Sequence, residues 1–196
     1  MSHVRDVKVW DLAVRLFHWS LVGGFFIAYF TEDELMSVHV WAGYSLCVLI
    51  ALRLIWGIVG PRPARFSDFV YGPATVLRYS KAVLHGNAKR YLGHNPAGGA
   101  MIIALLLFVL TTTVSGMMLY GADAWLGPLA GLMKDSSEST IEVLEELHEL
   151  TANATIVLIV VHVFGVIWES VLHQENLVKA MITGRKRAET TNPTLN

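Results

Sequence analysis

Four of the eight histidines in this chain of 196 residues fall within or at the edges of long apolar runs: His18, His39, His148 and His162. His148 and His162 stand fourteen positions apart in one run. On an α-helix that interval rises about 21 Å and turns just under four times, so both imidazoles share one face within about 40°. One helix thus presents a histidine at each of two depths. His18 stands near the start of the first run and His39 near the start of the second. With helices alternating in direction, His18 matches His162 in depth and His39 matches His148. Ionisable side chains inside membrane spans are costly and mark function by default. Facing imidazoles are what six-coordinate haem iron requires, and bundle cores are where such cofactors sit.

Other chemistries stay open to intramembrane histidines: a metal-transport path, a proton relay, or a haem-free scaffold in which they bind metal or pack. A transport path favours carboxylates, thiolates or thioethers along a channel. Here no Asp or Glu enters a run before Glu169, and the adjacent Met117 and Met118 point in different directions. Small residues sit beside the histidines: Gly43 one turn after His39, Gly165 three positions after His162, and Ala152 and Thr155 on the His148 face. They suit the approach of a flat macrocycle, and equally helix packing. Haem propionates need cations. Arg15 lies one turn before His18 on the same face, and Arg53 lies fourteen residues past His39, at the depth of the His18 pair; the competing role for each is a snorkelling arginine at the membrane boundary. His3, His85 and His173 fall in tail, loop or helix-end positions and read as solvated surface.

The elements that must position these groups follow from composition. Hydrophobic residues make up 54% and charged residues 16% of the chain, and the mean hydropathy is +0.48. Those values indicate a membrane protein of one compact domain, residues 1–196. Apolar runs at about 13–30, 36–59, 97–120 and 150–171 are each near the roughly 20 residues that cross a bilayer. The first run ends in Thr31-Glu32-Asp33-Glu34 without a small-residue cleavage site, so it reads as a retained span. The expected fold is all-α, an up-and-down four-helix membrane bundle with two haems stacked across the bilayer. The loop between the second and third runs has room for a surface helix at about 73–85, the loop before the fourth lies along the interface, and a C-tail covers 176–196. The single cysteine, Cys47, sits in an apolar run, which excludes disulfides, iron–sulfur clusters, zinc ribbons and covalently attached haem.

A formal net charge of −1 says nothing about nucleic acid, but the placement of charge is informative. Every Lys and Arg except Lys134 falls at the N-terminus, around the second loop or in the C-tail. The positive-inside rule makes both termini and that loop cytoplasmic. The opposite face carries Glu32, Asp33, Glu34, Asp123, Asp135, Glu138, Glu142, Glu145, Glu146 and Glu149. It reads either as a solvated rim or as a surface that steers a basic partner.

With the histidines in place, the sequence resembles the prokaryotic cytochrome b561 family, which includes the cytochrome b subunits of membrane-bound nickel–iron hydrogenases and formate dehydrogenases. The resemblance covers nearly the whole chain. It is carried by Val9-Trp10-Asp11 leading to Arg15-Leu-Phe-His18-Trp19, by His39-Val-Trp-Ala-Gly43-Tyr44, and by Arg53-Leu-Ile-Trp56-Gly57. Gly93-His94-Asn95-Pro96-Ala97-Gly98-Gly99, the His148–His162 spacing and Met181-Ile-Thr-Gly184-Arg-Lys complete it.

The resemblance implies a quinone-linked cytochrome b with two non-covalent, bis-histidine haem b groups, His18 with His162 for the inner and His39 with His148 for the outer. By motif position Asn95 and His94 are candidates for a quinone site, while Asn95 before Pro96 also suits a helix cap. Glu169, two turns after His162, reads as a proton carrier to quinone or as a solvated helix end. Electrons would pass between the quinone pool of a respiratory chain and a periplasmic redox protein, a hydrogenase or dehydrogenase small subunit or a c-type cytochrome, at the bacterial inner membrane. A self-sufficient superoxide:quinone oxidoreductase is the alternative within the same resemblance.

Overall fold

The computed structural model describes residues 6–32 and 34–188; His3, Arg5, Asp33 and the tail from residue 189 lie outside the described residues. In chain order the elements are β1 (Asp6–Lys8), α1 (Leu12–Phe30), α2 (Met36–Val59), a 3-10 turn (Arg62–Ala64), α3 (Phe66–Phe69), α4 (Pro73–Leu84), α5 (Pro96–Asp123), α6 (Ala130–Met133), α7 (Glu138–Leu172), α8 (Leu177–Thr183) and β2 (Arg185–Arg187). Among the described residues four helices, α1, α2, α5 and α7, are long and apolar enough to cross a membrane. Their outward faces carry large apolar side chains such as Phe30, Trp41, Ile58 and Val171, each at least 70% exposed, as lipid contact requires. The chain is a helical, multi-pass membrane protein.

The surface helix anticipated at 73–85 is α4. The fourth helix extends beyond the expected span of about 150–171: α7 begins at Glu138, so the acidic stretch before His148 is helix and not loop. At 35 residues α7 is about 53 Å long, well beyond the ~30 Å hydrocarbon core. Its first turns are held by apolar residues at helical spacing. Ile141 and Leu144 pack with Met133 and Ala122. The all-α expectation omits a small antiparallel sheet, in which β1 and β2 pair with Asp6 opposite Arg187 and Lys8 opposite Arg185.

The chain groups into two units, each assembled from separate segments. One comprises Phe17–Ile55 and Met101–Val161. Its core is Phe25, Leu46, Ile50 and Val109, with Ile156 and Ile159 packed against them. The other draws its described residues from 6–16, 56–100 and 162–188. There Val9 and Trp10 bury against Ala180 and Met181. Asp11 caps α1 by accepting a hydrogen bond from the Val14 amide at 2.9 Å, and its other oxygen accepts from the Trp56 indole at 3.2 Å. Helix α8 ends at Gly184, whose φ of 79° and contact with the Trp10 carbonyl suit glycine alone.

Candidate functional site

In the first unit His39 and His148 come together with ring centroids 5.9 Å apart and planes at 74°. Each ring is oriented by a backbone carbonyl. The Nδ1–H of His39 donates at 2.9 Å to the Ala28 carbonyl in the last turn of α1, an oxygen that also accepts from the Thr31 amide at 3.2 Å and the Thr31 hydroxyl at 3.3 Å. The Nδ1–H of His148 donates to the Thr112 carbonyl of α5 at 2.8 Å. A carbonyl only accepts, so in both rings Nδ1 carries a hydrogen, and in the neutral imidazole that leaves the Nε2 lone pair free to bind a metal. A metal-binding imidazole is commonly fixed in this way, by donating its other nitrogen to a carbonyl.

Both rings line one cleft. Its wall is mostly apolar, with Phe25, Leu46 and Val109 from the core, and Gly43 and Ala152 at positions where the sequence pointed to small residues. Thr155 is fully buried, with its hydroxyl turned back to the Thr151 carbonyl, so its role is packing. Gly116 of α5 went unnoticed in the sequence, yet it is decisive. A Cβ there would stand 2.6 Å from Cε1 of His148. The available signal was a glycine in the interior of a long apolar helix, which costs about 1 kcal/mol relative to alanine.

These residues fit a haem. Two metal–nitrogen bonds of about 2 Å, each extended to a ring centre, put imidazole centroids roughly 6 Å apart. Among the described residues no group of three or more His, Cys, Asp or Glu gathers to hold a bare metal ion. A pair of imidazoles therefore suits a metal that brings its other ligands with it.

His18 and Arg53 belong to the same unit. His18 meets Trp19 edge to face at 4.9 Å. Arg53 is only 4% exposed, with its guanidinium 5.9 Å from the Phe17 ring centre, so a snorkelling role is ruled out. His162, Arg15, His94 and Asn95 belong to the second unit, so the expected His18–His162 pair stays a matter of helix spacing.

In that second unit Arg15 donates through Nη1 to the Ile182 carbonyl at 2.5 Å, serving the last turn of α8. Asn95 accepts from the Gly98 amide at 2.7 Å and caps α5 ahead of Pro96. His94 lies between Trp10 and Phe69, with ring centres 4.3 and 4.6 Å away. His85 is exposed, as anticipated.

Two solvated readings are corrected here. His173 and Glu169 are only 14% and 13% exposed and pair at 3.1 Å. The other Glu169 oxygen accepts from the Tyr79 hydroxyl at 3.1 Å. Burial, and then the Glu169 charge and hydrogen bond, push the Tyr79 phenol far up, so it remains a neutral donor.

Beside them, Glu175 binds Arg90 at 2.8 Å and Lys186 at 3.2 Å. Burial raises the Glu175 pKa, but the Arg90 hydrogen bond and the Lys186 charge outweigh it and hold the carboxyl below its ordinary value. Burial lowers the Lys186 pKa, only partly offset by Glu175.

The sequence model of the prokaryotic cytochrome b561 family matches residues 9–184. Similar proteins include the probable Ni/Fe-hydrogenase B-type cytochrome subunit of Bradyrhizobium diazoefficiens, 27% identical over 92% of this chain and 86% of that one. The same-named subunit of Rhizobium leguminosarum bv. viciae is 26% identical over 93% and 89%, and that of Rhodobacter capsulatus 26% over 92% and 81%.

Proposed function

The chain belongs to the prokaryotic cytochrome b561 family, and from that membership we propose a dihaem electron carrier between the quinone pool and a redox protein outside the bacterial inner membrane. The coarser part is plain from the family: a multi-pass b-type cytochrome that transfers electrons. The observation that carries the finer reading is the His39–His148 pair, each ring tautomerically set by a carbonyl and both lining one cleft.

In this reading His39 and His148 hold the outer haem b, and His18 and His162 the inner one. Bound haem supplies a one-electron couple at iron. The chain's own residues fix the imidazoles, exclude water with the apolar wall, and balance charge. Arg53, buried at 4% exposure, serves an inner propionate. Arg15 does so only by sharing its guanidinium with Ile182. His94 and Asn95 border the quinone site through residues that already pack and cap α5. The relatives' names favour a hydrogenase as partner, and the acidic turns of α7 are the surface on which a basic partner docks. The distribution of Lys and Arg supports a reading with both termini in the cytoplasm.

The test is a dithionite-reduced minus oxidised spectrum of the purified protein with haem and protein quantified together. Low-spin b-type bands at two haems per chain are expected. A chain purified from haem-replete cells with no Soret band sinks the reading.

A further inference from the structure

The cleft around His39 and His148 has a feature that ligation leaves unexplained. The Tyr44 hydroxyl oxygen is buried and has no hydrogen-bond partner in the protein. A buried hydroxyl left unpaired forfeits the hydrogen bonds it would make to water. Three other hydroxyls along the wall are satisfied. Tyr29 donates to Asn153 at 3.1 Å, Thr112 to the Phe108 carbonyl at 2.9 Å, and Thr113 to the Leu110 carbonyl at 3.0 Å.

Charge makes the second half of the case. No Lys or Arg is among the described residues that line this cleft, and the one charged carboxylate there is Glu32. A haem b brings two propionate carboxylates, which need donors wherever they leave water. Tyrosine is neutral near pH 7 and able to donate. Tyr44 is held in place by its surroundings. Trp41 meets its ring edge to face at 5.8 Å, and a Cβ on Gly127, which sits at φ 85°, would reach within 2.4 Å of its oxygen.

We propose that the Tyr44 hydroxyl donates a hydrogen bond to a propionate of the haem held by His39 and His148. The proposal rests on that haem being there. Tyr44 is a positioning residue, supplying at this cleft what an arginine supplies where one is available. Removing the donor leaves the propionate charge less compensated, which favours ferric over ferrous iron.

The test uses the purified holoprotein reconstituted with haem isotopically labelled at the propionate carboxyls. Redox-driven infrared difference spectra and a potentiometric titration are recorded for the wild type and for Tyr44→Phe. The expected result is that both haems are retained, a labelled carboxylate band shifts, and the outer haem's midpoint potential falls while the inner one stays. Gly127→Ala, which crowds the same oxygen without removing it, should shift the same band. If His148→Ala leaves two haems in place, the underlying haem assignment fails. If His148→Ala removes one haem but Tyr44→Phe and Gly127→Ala move neither band nor potential, the tyrosine assignment alone is overturned.

Discussion

The Nδ1–H of His148 meets the Thr112 carbonyl at 2.8 Å, and the α5 backbone admits the imidazole that closely because Gly116, one turn on, has no side chain. The contact does two things at once. It sets the Nδ1 hydrogen of the ring and locks its plane against a rigid helix, so the geometry proposed for ligation is already built into the chain.

Gly116→Ala tests that relationship. Alanine favours the helix by about 1 kcal/mol, so folding should be intact. Its Cβ, 2.6 Å from Cε1 of His148, must nonetheless displace the ring. Haem content by pyridine haemochrome assay should drop from two to about one per chain while far-ultraviolet circular dichroism stays unchanged. Full haem content with unaltered potentials would refute the role given to Gly116.

The two proposed ligand pairs should separate under single substitutions. His162→Ala should remove the inner haem and spare the outer one, and His39→Ala should do the reverse. Each leaves about half the reduced α-band amplitude. Survival of both haems in His162→Ala would show that the ligand assignment is wrong.

The ion cluster around Glu175 makes a pH prediction. Its folded pKa lies below the ordinary value of 4.5. The stability it contributes is therefore present above about pH 4.5 and disappears as pH falls through the folded value. Lys186 moves stability in the same direction for a different reason: its lowered pKa means the charged form is penalised in the fold, so stability gains as pH rises from the folded value toward the ordinary 10.5. Glu175→Ala removes the carboxylate partner of buried Lys186 and half-buried Arg90 and should cost about 3 kcal/mol, the low end for breaking a buried pair, in the unit that holds β1 and β2. Hydrogen exchange at residues 185–187 reads this directly. Unchanged protection at those amides at pH 7 would contradict it.

Much of the molecule was legible in the residues alone. Hydropathy located the four spans, because a bilayer demands continuous apolar length and tolerates little else. The fourteen-residue interval put His148 and His162 on one face, because helix geometry leaves no freedom there. The motif residues Asp11, Trp56 and Asn95 were visible as a pattern, but their contacts were not. Asp11 caps α1 and receives the Trp56 indole across 45 positions of sequence, which no local rule anticipates. The start of α7 was misplaced because Glu142, Glu145 and Glu146 look like loop to a hydropathy count. Ile141 and Leu144 carry the helix on.

The sequence by itself determined the four apolar helices and the face shared by His148 and His162, since both follow from length and periodicity. Only the tertiary structure decided which nitrogen of His39 and His148 carries the hydrogen, that Gly116 makes room for one of them, that Arg53 is buried rather than snorkelling, and that Tyr44 brings an unsatisfied hydroxyl to the cleft. The reason is physical. Those properties depend on carbonyls and side chains contributed by other helices, and contacts between distant segments leave no periodic trace in the sequence that makes them.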